Sequence, residues 1–237
     1  MDCAGHDWRT QRGYGLNRLI DKAIDLRNPR TKNRALPAGL LKSGEVFIFI
    51  AISFVLLFVA AFRLDPLSVK LLPLAVFMLV IYSYTKRFTW LCHIVLGLTI
   101  GLAPLGGWVA ITGKIDFTAI LLYISVALWT AGFDIIYACQ DAEFDRDEKL
   151  HSIPSRFGIA KALWIARIFH TITAIGFFTL FMLTDLSWGY LVGMIIAIAI
   201  LFYEHTLVKP YDLSKLNMAF FYHERGTEHG YFYLYPI

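Results

Sequence analysis

Apolar residues along this chain are gathered into long runs rather than spaced around one globular core. Six runs stand out: Val46 to Phe62, Leu71 to Tyr84, Leu91 to Ile111, Phe117 to Ala138, Ala162 to Leu183 and Gly189 to Tyr203. A helix needs about 20 residues to cross the hydrocarbon of a bilayer, so each run predicts a transmembrane helix. The second and sixth are short for a straight span. Val69, Lys70 and Thr85 beside the one, and Leu186, Ser187, Trp188 and His205 beside the other, extend them by snorkelling and interfacial packing. Backbone groups in lipid must be satisfied within their own segment, and no alternation of the barrel kind occurs. The predicted fold is therefore all-α, a multi-pass transmembrane helical bundle.

Composition narrows the picture further. Of the 237 residues, 57% are hydrophobic and only 17% charged, which excludes a disordered chain, a coiled coil and a nucleic-acid arm. Segments 1–44, 85–90, 139–161 and 204–215 carry 17 of the 22 lysines and arginines, whereas the intervening loops 63–70, 112–116 and 184–188 carry 3. That asymmetry assigns the first group of loops to the cytoplasm and predicts a multi-pass protein of the cell (inner) membrane. It also accounts for the net charge of +4 without a nucleic-acid partner. Aromatic residues at the run ends, among them Tyr84, Trp90, Trp108 and Trp188, suit interfacial belts. Cys3, Cys92 and Cys139 have neither the number nor the spacing of a disulfide framework or a zinc site. The first 15 residues are polar and lack the apolar core of a cleavable signal peptide.

The chemistry sits in the basic loops. Asn17, Asp21 and Asp25 recur every four residues, which on a helix places them on one face before Asn28-Pro29 stops it. Taken alone, such a stretch reads first as a solvated amphipathic helix with ordinary i,i+4 charges. A basic loop with Arg27, Arg30, Lys32 and Arg34 follows. A second constellation, Asp134, Tyr137, Asp141 and Asp145, has helical offsets that form one stripe running out of the fourth span. Asp134 lies about two turns inside from Asp141, and a carboxylate at that depth is expensive enough to mark a functional site.

Two acidic helix ends on one side of a bundle repel each other unless a cation neutralises them. A hard divalent ion held by few carboxylates completes its shell with water and substrate phosphates, and Arg30, Lys32, Arg34, Lys86 and Arg87 can hold such a polyanion. A diphosphate with a greasy tail fits: head at the polar mouth, tail down between the helices.

The run of Asn17, Asp21 and Asp25 followed by RALPAG, with Asp141 and Asp145 inside YACQDAEFD before LHSIPSRFG, resembles the UbiA superfamily of intramembrane prenyltransferases. Within it the similarity is to the 4-hydroxybenzoate polyprenyltransferase-like branch, including menaquinone-pathway relatives. The resemblance implies Mg²⁺-dependent transfer of a polyprenyl group from polyprenyl diphosphate to an aromatic acid such as 4-hydroxybenzoate, in respiratory quinone biosynthesis. It also implies that Asp21, Asp25, Asp141 and Asp145 hold the metal, with Asn17 beside them. Arg34 sits in the matching basic loop, and Lys86 and Arg87 occupy a position expected to contact the diphosphate or the acceptor's carboxylate. Asp134 and Tyr137 are the candidates to orient the acceptor's phenol or stabilise the allylic cation.

The same resemblance divides the chain into a polar segment 1–15, a bundle 16–222 and a polar, aromatic tail 223–237. Family members typically have nine helices, so the expectation is a bundle truncated at both ends. Two alternatives remain at this point: a secondary transporter or cation-binding membrane protein using the same carboxylates, and an inactive remnant of the enzyme. Gly97 and Gly101, with Gly106 and Gly107, are expected to let helices approach closely.

Overall fold

The computed structural model describes residues 15–214 and residue 216. The elements are α1 (Gly15–Ile20), α2 (Lys22–Arg27), α3 (Ser43–Phe62), α4 (Pro66–Thr85), α5 (Cys92–Thr112), α6 (Phe117–Ala138), α7 (Ala142–Asp147), α8 (Ile153–Phe157), α9 (Ile159–Leu183) and α10 (Trp188–Leu207). A 3₁₀ turn, Cys139–Asp141, joins α6 to α7. Among the described residues there is no sheet, only an isolated bridge between Lys209 and Asp212.

Six of these helices, α3, α4, α5, α6, α9 and α10, are long and apolar enough to cross a membrane. They coincide with the six apolar runs, and the polar residues at their ends set the boundaries. Asp65 accepts a hydrogen bond from the Leu67 N–H at 2.8 Å and Pro66 takes the first helical position, so α4 starts before its apolar run and reaches 20 residues. Glu45 accepts from the Lys42 N–H at 2.9 Å and starts α3 at Ser43. Asp116 caps α6 through the Ala119 N–H at 2.9 Å. Gly113, at φ +67°, ends α5 in the left-handed conformation that glycine adopts without strain.

The bundle is built around α6, which packs against α5 on one side and α9 on the other. A Cβ placed on Gly97 would lie 2.1 Å from the Ala127 carbonyl oxygen, and one on Gly101 would lie 2.9 Å from that of Tyr123. These two glycines let the α5 and α6 backbones touch. Gly106 and Gly107 do not serve the same purpose, because nothing lies within 4 Å of where their side chains would be. On α3 the residues Phe47, Ile48, Val55 and Phe62 are exposed, the pattern of a lipid-facing helix. A buried apolar cluster with Ile135, Ile136, Ile153 and Leu163 lies where α6, α8 and α9 meet, and Leu216 packs into it. That cluster fixes the end of α6 from which the second acidic motif projects.

Candidate functional site

The first motif does not lie on one unbroken helix. Asp21 separates α1 from α2 with φ −92° and ψ 6°, yet hydrogen bonds from Asp21 N–H to the Asn17 carbonyl and from Asp25 N–H to the Asp21 carbonyl, both 2.8 Å, carry the register across. The three residues therefore keep a common face, and Asn17 Nδ2 donates to Asp21 Oδ2 at 3.0 Å. Asp141 begins α7 with φ −101° and ψ 6°. The leading aspartate of each motif thus sits at a helix break in the same sparsely populated backbone region, where functional residues are often found. Asp21, Asp25 and Asp145 are all buried.

Gathering four carboxylates at one end of a bundle, three of them buried, requires compensating charge, and each receives its own cation. Arg87 Nη2 donates to Asp21 Oδ1 at 3.1 Å, and Arg34 Nη1 lies 3.0 Å from Asp25 Oδ1. Arg30 grips Asp141 with Nε, 2.9 Å from Oδ1, and with Nη2 on Oδ2. Lys86 Nζ stands 3.7 Å from Asp145 Oδ1. The consecutive residues Lys86 and Arg87, at the C-terminal end of α4, are divided between the two motifs. Burial pulls the Lys86 ammonium down, but Asp145, Asp21 and Asp141 together hold it above its usual range, so it stays charged at neutral pH. Burial also raises the Asp25 carboxyl, against the attraction of Arg18.

Asn28, outside the expected set, and Arg30, one of the expected basic residues, join the motifs. Asn28 is buried; its Nδ2 donates to Asp141 Oδ1 at 2.9 Å while its Oδ1 accepts from the Arg30 N–H at 2.9 Å. Arg30 Nη1 donates to the Tyr137 hydroxyl at 2.6 Å, and its guanidinium lies 4.7 Å from the centre of that ring. Of the expected stripe, Tyr137 and Asp141 therefore meet at Arg30, Asp145 turns to Lys86, and Asp134 turns elsewhere. Asp134 Oδ2 lies 2.7 Å from Nδ1 of His93, a buried residue at the start of α5. Nothing in the sequence distinguishes His93, which stands inside an apolar run. Asn28 reads there as a helix stop, and Arg30 as one basic residue among several.

His170 is buried, bonded to His205 at 2.9 Å and to the Trp129 carbonyl at 3.2 Å. His151 is exposed in the loop.

The carboxylates fit a magnesium ion that brings its own phosphate ligands. Asp145 Oδ1 is buried and accepts no hydrogen bond among the described residues, its ion pair with Lys86 being loose at 3.7 Å, so the oxygen keeps a lone pair for a metal. Among the described residues no three His, Cys, Asp or Glu side chains close a complete protein cage. Magnesium does not need one, since it commonly takes one or two carboxylates and fills the rest with water and phosphate.

Comparison with known proteins agrees with this architecture. Residues 12–225 match the UbiA prenyltransferase family. The chain is 28% identical over 214 residues to the 4-hydroxybenzoate octaprenyltransferase of Vibrio atlanticus, covering 88% of this chain and 73% of that one. It is 36% identical over 180 residues to the mitochondrial 4-hydroxybenzoate polyprenyltransferase of Arabidopsis thaliana, covering 75% and 44%. The apo structure of a UbiA homolog from Aeropyrum pernix superposes with a TM-score of 0.77 at 28% identity, over 84% of this chain and 75% of that one. A UbiA homolog from Archaeoglobus fulgidus bound to GPP and Mg²⁺ shares the fold at 20% identity, with a TM-score of 0.66 over 86% and 75%. Against these matches the transporter alternative has no support. With six helices among the described residues long and apolar enough to cross a membrane, two acidic motifs gathered at one end and a family match over most of its length, this multi-pass membrane protein belongs to the UbiA prenyltransferase family.

Proposed function

We propose that the protein transfers a polyprenyl group from polyprenyl diphosphate to an aromatic acid of the 4-hydroxybenzoate kind, in a Mg²⁺-dependent step of respiratory quinone biosynthesis. The observation that carries this reading is the pairing of four aspartates from two distant segments with Arg30, Arg34, Lys86 and Arg87 at one end of the bundle. A metal–diphosphate complex carries both signs of charge and can take over both halves of those pairs. Its cations go to the carboxylates, and its phosphate oxygens take the released guanidinium and ammonium groups. The names of the Vibrio and Arabidopsis relatives support the acceptor class, and the Archaeoglobus neighbour with GPP and Mg²⁺ supports the donor and the metal.

Asp21, Asp25, Asp141 and Asp145 would hold the ion, with Asn17 orienting Asp21. Magnesium there would supply electrostatic stabilisation of the departing diphosphate. Arg34, Lys86 and Arg87 bind the same phosphate oxygens and lower the barrier to ionising the allylic C–O bond. Asp134 and Tyr137, deeper along the same stripe, orient the acceptor's ring towards the allylic carbon. The apolar interior keeps out water that would otherwise capture the cation. The motifs face the cytoplasm of the cell (inner) membrane, on the distribution of lysine and arginine.

The test is an assay of membranes containing the chain with Mg²⁺, labelled polyprenyl diphosphates and a panel of aromatic acids. The reading expects a labelled prenylated acid from a para-hydroxy acid. Release of diphosphate with no labelled acid from any member of the panel would refute it.

A further inference from the structure

His93 lies in the first turn of α5 with its side chain only 4% exposed, and both of its ring nitrogens are committed. The Ile153 N–H, at the start of α8, points at Nε2 from 3.3 Å. A backbone N–H needs a lone pair to donate to, so that contact places the ring proton on Nδ1. Nδ1–H then donates to Asp134 Oδ2 at 2.7 Å. The arrangement is directional: a backbone donor fixes the tautomer, the tautomer fixes the carboxylate, and three separate elements are locked together.

Asp134 ends this chain of contacts, with 32% of its side chain exposed. Among the described residues Oδ1 has no hydrogen-bond partner, so one oxygen is anchored and the other is left free to accept. It stands two helical turns, or about 10 Å, further in than Asp141. That is below a diphosphate bound at the motifs, on the side where its prenyl chain would descend.

We propose that His93 is a positioning residue for the acceptor. As the Nδ1–H tautomer it holds Asp134 so that Oδ1 receives the hydrogen bond of an aromatic acceptor's phenolic O–H. Accepting that bond pushes electron density onto the phenol oxygen and its ring, at the moment the ring must attack the allylic carbon. The role rests on the proposed function. The geometry that underlies it does not, and the two can be tested apart.

The tautomer is read without substrate, from the ¹⁵N-histidine NMR spectrum of the protein in nanodiscs, with the His93 signals assigned by their loss in His93→Asn. A protonated Nδ1 and an unprotonated Nε2 are expected, with the Nδ1 signal moved by Asp134→Asn. A protonated Nε2 would overturn the inference whatever the enzyme's substrate. Asparagine places an amide N–H near the position of Nδ1–H, so His93→Asn should keep kcat within about threefold. His93→Leu removes the donor and should lower kcat about 10–100-fold, the scale known for losing the hydrogen-bond partner that orients a metal ligand. Its KM for polyprenyl diphosphate should remain unchanged, and it should cost nothing further in the Asp134→Asn background. Equal losses in His93→Asn and His93→Leu, or full additivity with Asp134→Asn, would show that the histidine only supports the fold.

Discussion

Arg30 and Asp141 are 111 residues apart in the chain and meet through two guanidinium nitrogens, with Nε 2.9 Å from Oδ1. This contact draws the loop after the first motif onto the second and brings Tyr137 with it. A lysine at position 30 keeps the charge but loses the planar fork. Arg30→Lys should therefore lower the stability of the substrate-free protein by about 1–2 kcal/mol, the scale of a partly exposed charge-assisted bond. It should also weaken Mg²⁺-dependent diphosphate binding. Thermal unfolding in detergent and titration with an inert diphosphate analogue measure the two effects, and a wild-type value for both would show that the fork is dispensable.

Asn28 makes the same junction from the backbone side, spending its amide nitrogen on Asp141 and its amide oxygen on the Arg30 N–H. Asn28→Ala strips both bonds from a buried position and should cost about 1–3 kcal/mol. Asn28→Asp should be worse than alanine, since it sets a carboxylate against Asp141. Ranking the two variants by unfolding temperature checks this, and an aspartate variant as stable as wild type would contradict it.

Gly97 and Gly106 lie on the same helix and differ in what surrounds them. Alanine at 97 would drive a Cβ to 2.1 Å from a backbone oxygen of α6, which cannot yield without separating the helices. Gly97→Ala should destabilise by about 3 kcal/mol or more, at the upper end of overpacking costs. Gly106→Ala should stay within about 0.5 kcal/mol of wild type, because its surroundings are open. Equal unfolding temperatures for the two variants would show that close packing of α5 on α6 is not what holds the core.

Single cysteines at Lys32, Lys149 and Lys114, all exposed, report which end of the bundle faces which compartment. In intact cells an impermeant thiol reagent should label the third and spare the first two. The reverse pattern would invert the topology and place the motifs outside.

Much of this molecule is legible in its sequence, and the rest is hidden for definite reasons. The six spans are readable because the bilayer sets their length and composition at once. Their ends are less so, since α4 begins where Asp65 and Pro66 allow rather than where the apolar run does. The four aspartates are visible by their spacing, but the break at Asp21 is not, because an i,i+4 pattern reads the same on a straight or a broken helix. That Lys86 and Arg87 serve different motifs cannot be read from neighbours in a chain; it depends on how α4 ends between two loops. His93 is hidden most completely, as its partners Asp134 and Ile153 are 41 and 60 residues away.

The central claim is that the two acidic motifs act as one metal-dependent site, and the most direct measurement is prenyl transfer by Asp21→Ala, Asp141→Ala and the double variant, with and without EDTA. Groups that act as a unit are lost as a unit, so each single variant should abolish transfer, the double should lose little more, and EDTA should silence the wild type. Wild-type turnover in EDTA, or in Asp141→Ala, would contradict the account.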